Sequence, residues 1–182
     1  MNLIRLFEKD RVFTYSNLLS FSRLFIGIFL FYAISGRQLY LSLFLVVLGV
    51  ISDFADGYLA RKRNEISRLG KILDPLADKA AVALAAIALH NTYALPLWVV
   101  LLIIGRDILI LIGSIILIER LQNVVASEMP GKVAVTIIAG LLIAYLLEWD
   151  SMKPIMLLLT ILSVMVSFFF YLLRFLKMIK QK

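Results

Sequence analysis

Apolar sequence interrupted only briefly is the feature that most limits what this chain can become. Of its 182 residues, 62% are hydrophobic, and its mean hydropathy is +0.97. A soluble domain of this length does not carry so much apolar sequence. There is room for about six helices of roughly 20 residues, the length that crosses a bilayer core. The sequence therefore predicts an all-α integral membrane protein, a single membrane domain over residues 1–182. Its six transmembrane helices are expected at about 16–35, 38–60, 70–89, 95–118, 130–147 and 153–176. Pro96, Pro130 and Pro154 each stand near the first turn of a span, where the missing N–H has no helical partner to lose.

Charge gives the chain a direction. The segment 1–14 mixes Leu3, Ile4, Leu6, Phe7 and Val12 with Arg5, Glu8, Lys9, Asp10 and Arg11. It is too short and too charged to span, so a short amphipathic helix on the membrane interface is expected. It also has no long apolar core of the kind a cleavable signal peptide needs. With six spans, the loops near Arg37, His90 and Lys153 lie on one side, and of 19 lysines and arginines only Arg37 and Lys153 fall there. Arg61, Lys62, Arg63, Arg68, Arg120 and the basic C-terminal segment fall on the other, which is read as cytoplasmic. The net charge of +7 thus reports membrane orientation rather than nucleic-acid binding. Trp98 and Trp149 fall near the opposite interface, as belt aromatics do. His90 is expected in an exposed loop there.

Four aspartates stand out against this background. Asp53 and Asp56 are three apart, Asp74 and Asp78 four apart, and on helices each spacing puts two carboxylates on one face. The basic stretch from Arg61 to Lys71 lies between the pairs; if it folds the helices into a hairpin, the two acidic faces meet. Pairing with Arg61, Lys71 and Lys79 alone is the plainer reading. It accounts poorly for four carboxylates, each costing roughly 2.5–3.5 kcal/mol near a bilayer centre. Divalent metal is the economical counter-charge. The chain has no cysteine and one histidine, and ligation by oxygen alone favours magnesium, manganese or calcium over zinc or iron. Carboxylates, metal and a basic rim at a membrane suit transfer of a phosphorus-containing group between a nucleotide and a lipid.

The pattern Asp53-x2-Asp56-Gly57-x2-Ala60-Arg61-x8-Gly70-x3-Asp74-x3-Asp78 resembles the signature of the CDP-alcohol phosphotransferases (CDP-alcohol phosphatidyltransferases) at every specified position. The resemblance implies a metal-dependent enzyme that moves a phosphatidyl group from CDP-diacylglycerol to an alcohol and releases CMP. It implies two divalent ions, Mg2+ or Mn2+, held by Asp53, Asp56 and Asp74, with Asp78 as the base and a further possible ligand. Asp53, Gly57, Ala60, Arg61 and Gly70 would line the CDP site. Asn17 and Arg23 resemble the family's Asn-x5-Arg pattern and would contact phosphate, although Arg23 is equally suited to snorkel to lipid headgroups. A homodimer in a bacterial inner membrane, with both termini and the active site cytoplasmic, is also implied.

The stretch from Leu73 to Lys79 is similar to phosphatidylglycerolphosphate synthases and cardiolipin synthases. Arg106 and Lys132 fall where those enzymes keep a basic pocket for acceptor phosphate, so glycerol 3-phosphate is the expected acceptor. Asp107 lies about 100° around the helix from Arg106, so it need not be the partner of that arginine; an ion pair between the two is the plainer alternative. Asp107, Ser114 and Ala134 depart from the glycerol-phosphate pattern of Glu, Arg and a second Lys, and the alternative is a cardiolipin synthase using phosphatidylglycerol. A divalent-cation channel or carrier is the alternative from another class, but it leaves Gly57, Ala60, Arg61 and Gly70 at their spacing unexplained.

Overall fold

Where the apolar stretches run, the chain is helical. The computed structural model describes residues 15–63, 70–121 and 129–180, with side chains placed over 21–52, 76–113 and 129–173. Among the described residues there are six helices: α1 (Tyr15–Ser35), α2 (Leu39–Arg63), α3 (Gly70–Tyr93), α4 (Leu97–Leu121), α5 (Met129–Leu146) and α6 (Lys153–Lys180). Their bounds fall close to those of the six expected helices, and the expected interfacial helix at 1–14 lies outside the described residues. Among these, α5 and residues Lys153–Leu173 of α6 are long and apolar enough to cross a membrane; Phe21–Ser35 and Leu39–Ser52 are shorter apolar segments.

The chain divides into two compact units, Met1–Thr92 and Tyr93–Lys182. In the first, α1 packs along α2. The inward stripe of α1 is Arg23, Gly27, Leu30 and Ile34, all buried, recurring at the three- and four-residue steps of one helix face. Phe21, Phe25, Phe29 and Tyr32 on its other faces are exposed. The α1 stripe also meets α3: a Cβ built on Gly27 would stand 3.0 Å from the Ala81 Cα. Only a glycine allows that approach, and small residues at such crossings are how helices associate in lipid, where apolar burial alone does not drive them together.

In the second unit α5 and α6 form an antiparallel pair. Gly131, Ala134, Ile138, Leu141 and Tyr145 are buried along α5, and Thr160, Val164 and Ser167 along α6. These recur at seven-residue spacing, the seam of a left-handed pair. Gly131 opposite Tyr171, Gly140 opposite Met156 and Tyr145 beneath the Lys153 ammonium at 5.3 Å fix the register. Outward, α6 exposes Leu158, Leu162, Phe169 and Phe170. Exposed apolar surface of this kind is a face for lipid.

Three residues other than glycine take left-handed backbone: Arg37 (φ 53°), Ala94 (φ 57°) and Glu148 (φ 51°). Two of them close helices as Schellman caps. Arg37 N–H donates to the Ile34 carbonyl and Gln38 N–H to that of Ala33. Glu148 N–H donates to the Tyr145 carbonyl and Trp149 N–H to that of Ala144. Arg37 also donates from Nη2 to the Thr92 carbonyl at 2.9 Å, bringing a cation to the C-terminal end of α3. The loop expected at His90 is absent: His90 is half-buried in the last turn of α3. Nothing breaks that helix until the approach to Pro96, which disfavours helical backbone at the residue before it.

Ala94 is exposed, so its methyl contributes little packing while its left-handed backbone carries strain. Ala94→Gly should stabilise the protein by about 0.5–1 kcal/mol, read as a rise in unfolding temperature in detergent. An unchanged or lower temperature would show that the strain is offset locally.

Candidate active site

Helix α2 carries Asp53, Asp56, Gly57, Ala60 and Arg61 in its last three turns. Ser42 and Leu45 are buried on the α2 side that carries half-buried Gly49, whose added Cβ would lie 3.9 Å from Ile26 of α1. Continuing the helical period, positions 53 and 56 follow on that same side. Helix α3 begins at Gly70 and carries Asp74 and Asp78 one turn apart, with Pro75 inside its first two turns. The side chains of Asn17, Asp53, Asp56, Gly57, Ala60, Arg61, Gly70 and Asp74 lie outside the described ones, as does most of the basic stretch between α2 and α3.

Asp78 is described, and it is held. Arg23 Nη1 of α1 donates to its Oδ1. The Arg23 side chain is 7% exposed and that of Asp78 45%. Arg23 is thus turned inward rather than extended along the surface toward headgroups. A buried guanidinium needs oxygen near it, and α3 supplies it at the crossing where Gly27 and Ala81 touch. Arg23 and Gly27 are one turn apart on α1; Asp78 and Ala81 are one turn apart on α3. The glycine therefore sets the separation at which the ion pair closes.

The second unit holds another buried cation. Arg106 continues the buried stripe of α4 after Val99 and Ile103. Its Nη1 donates to Asp107 Oδ1 at 2.6 Å. Its Nη2 donates to the Gly131 carbonyl at 3.2 Å and to Ser167 Oγ at 3.3 Å. The helical angle between Arg106 and Asp107 did not keep them apart: the long arginine reaches back to its neighbour, and the carboxylate is half-buried with it. Three helices are tied at one guanidinium, which has five N–H donors to offer; its Nε is buried with no hydrogen-bond partner among the described residues. Lys132 stands exposed in the first turn of α5. Ala134 is fully buried.

Sequence reasoning did not find Ser167, Gly131 or Tyr171, nor the pairing of Arg23 with Asp78. The one available signal was that a cation inside an apolar span requires a partner; which partner, across 55 residues of chain, no local pattern encodes.

Arg23 and Asp78 should be energetically coupled. Arg23→Gln should cost about 1–2 kcal/mol, less than the 3–5 of a fully buried pair because Asp78 is partly solvated. In a double-mutant cycle with Asp78→Asn, read by unfolding in detergent, the two losses should fall short of additivity by at least about 0.5 kcal/mol. Strict additivity would remove the pair as a tie between α1 and α3.

The sequence profile of the CDP-alcohol phosphatidyltransferase family matches residues 13–173, a range that runs through both units. A CDP-diacylglycerol–glycerol-3-phosphate 3-phosphatidyltransferase of Aquifex aeolicus is 42% identical over 106 residues, 57% of this chain and 60% of that protein. A protein of the same name from Bacillus subtilis is 39% identical over 89 residues, 49% of this chain and 46% of its own length. A cardiolipin synthase (CMP-forming) of Streptomyces coelicolor is 36% identical over 111 residues, 58% of this chain and 52% of that protein. The matched part is therefore about half the length of these relatives. No solved structure matches the chain. With its profile match extending from α1 through α6, the chain belongs to the membrane-associated CDP-alcohol phosphatidyltransferase family.

Proposed function

We propose that this protein transfers the phosphatidyl group of CDP-diacylglycerol to glycerol 3-phosphate, giving phosphatidylglycerol phosphate and CMP. The observation that carries the reading is the complete aspartate signature on two helix ends, with Asp78 held in place by Arg23. The two relatives above named for this reaction support the choice of acceptor.

The donor set fits divalent magnesium or manganese: it is carboxylate oxygen throughout, from residues one turn apart on each helix. Asp53, Asp56 and Asp74 would hold two ions, with Asp78 beside them. Held there, divalent metal would supply charge neutralisation for the pyrophosphate and the leaving phosphate. The chain's own residues do the rest. Gly57 and Ala60 present little bulk along α2, so the cytidine nucleotide can lie close to the backbone, and Gly70 does the same at the start of α3. Arg61 pairs with phosphate oxygen, and Asn17 is positioned near the start of α1 for a similar contact. Asp78 takes the proton of the attacking hydroxyl. The acceptor oxygen forms a bond to the phosphatidyl phosphorus as the bond from phosphorus to the CMP oxygen breaks. Arg23 keeps the Asp78 carboxylate in one orientation while this happens. Lys132 and the unspent donors of Arg106 bind the acceptor's own phosphate.

The six helices are taken as six spans, with both termini and the aspartates on the cytoplasmic side of a bacterial inner membrane, where nucleotides are. Asp107 in place of glutamate, and a buried alanine at position 134 where a second lysine is usual, favour cardiolipin synthesis from phosphatidylglycerol as the second reading. A screen of radiolabelled acceptors with CDP-diacylglycerol, with lipid products separated by chromatography, distinguishes the two.

CMP release should require divalent metal and all four aspartates. Asp78→Asn should lower turnover on the order of 10²–10⁴-fold, the usual contribution of a general base, and should retain more metal binding than Asp53→Asn, Asp56→Asn or Asp74→Asn. Near-normal turnover in chelator, or in two or more of these variants, would end the metal assignment. The enzyme is further taken to be a homodimer, on the family resemblance. Crosslinking in native membranes should trap a dimer, and monomer alone, with native mass measurements agreeing, would exclude it.

A further inference from the structure

The first turn of α5 is held by two contacts at Gly131. Gly131 is buried in it, and a Cβ added there would stand 2.6 Å from the Tyr171 hydroxyl oxygen and 3.4 Å from the ring carbons Cε2 and Cζ. The tyrosine of α6 thus occupies the space any side chain at 131 would need. Arg106 also reaches this turn, donating to the Gly131 carbonyl and to Ser167 Oγ. Ser167 is fully buried and lies one turn before Tyr171 on α6. The residue after Gly131 is Lys132, exposed, its carbonyl accepting from Thr136 Oγ1 at 3.1 Å.

We infer that Gly131, Tyr171, Ser167 and Arg106 form a positioning set that fixes where Lys132 stands, and that through Lys132 they set the affinity for the anionic acceptor alcohol. This rests on the reading that Lys132 binds the acceptor. Lysine is a point charge on a flexible stem; its reach is broad, but the centre of that reach is its Cα. The Cα of Lys132 follows a neighbour whose side-chain space is taken by Tyr171 and whose carbonyl is held by Arg106. A misplacement of about 1 Å in a group that positions substrate can cost roughly 100-fold in rate, so a gauge of this kind matters even though none of its members but Arg106 carries charge.

The test is a two-substrate kinetic matrix on detergent-purified protein, with CDP-diacylglycerol and glycerol 3-phosphate, or phosphatidylglycerol if the product screen identifies that acceptor. Gly131→Ala should raise the acceptor KM on the order of tenfold and leave the CDP-diacylglycerol KM within about twofold, as lost binding to one substrate does. Adding Tyr171→Phe to Gly131→Ala removes the oxygen at 2.6 Å and leaves the ring at 3.4 Å, so the double variant should recover most of the lost acceptor affinity. A general loss of folding would raise both KM values or lower the active fraction, and would not be rescued by removing one hydroxyl. In a Lys132→Ala background, Gly131→Ala should have a much smaller effect on acceptor KM than in the unaltered protein, the remainder being what reaches the acceptor through Arg106. Absence of rescue, or an additive loss in that background, overturns the proposal while the role of Lys132 stands. An unchanged acceptor KM in Lys132→Ala alone removes the underlying reading and the proposal with it. Should Gly131→Ala be too unstable to purify, Ser167→Ala frees one donor of Arg106 without adding bulk. It should raise acceptor KM about threefold, the worth of one modest hydrogen bond, and no change there overturns the proposal equally.

Discussion

An arginine withdrawn from water must be answered by oxygen, and each unit of this protein is arranged around one that has been. Arg23 and Arg106 are 6% and 7% exposed, each on the inward stripe of its own helix. Left without partners, either would cost several kcal/mol. The answer differs in kind. Arg23 finds a single carboxylate on another helix, so the contact is a tie between two elements and bears directly on the aspartate signature. Arg106 finds a neighbouring carboxylate, a carbonyl and a hydroxyl on three helices, so it acts as a junction. Because these contacts are specific in direction, they fix rotation and register, which apolar packing in lipid leaves soft.

Close approach is the condition for both. A guanidinium reaches a fixed distance, and the helices must be near enough for that reach to be sufficient. Gly27 against Ala81 and Gly131 against Tyr171 are the places where side-chain volume has been removed to bring them so. A bulkier residue at Gly27 would separate α1 from α3 where Arg23 meets Asp78; one at Gly131 would separate α5 from α6 where Arg106 meets Ser167. Packing and electrostatics are therefore not independent contributions in either unit.

The sequence made the helices legible because their cause is local. Stretches of apolar residues, prolines at first turns and charged interruptions gave boundaries close to those of all six. His90 was misplaced because the breaker that ends α3 lies beyond it at Pro96, and a histidine is no breaker. The aspartates were legible for another reason: their spacing is the helical turn itself, and four acids in apolar sequence cannot be incidental. What was illegible is what depends on contacts between helices. The helical angle said that Asp107 faces away from Arg106, yet side-chain length overrides backbone angle over a single residue. Tyr171 looked like one more aromatic in an apolar helix until Gly131 was found beneath its hydroxyl.

Arg106 bonds the carbonyl of the residue just before Lys132, and the surroundings of the two cations explain why one is arginine and the other lysine. Arg106 must satisfy three acceptors in different directions while buried, which needs a planar, permanently charged group with several donors in fixed geometry. Lys132 has the opposite task. It is exposed, and in the proposed function its partner is a ligand that arrives and leaves, to which a compact charge on a mobile stem is better suited than a rigid fork. Exchanging the two would leave the buried position short of donors and would make the exposed one demand a geometry its ligand need not offer. The contrast within the second unit is thus between directed hydrogen bonds fixed inside, at Arg106, and a mobile charge at the surface, at Lys132.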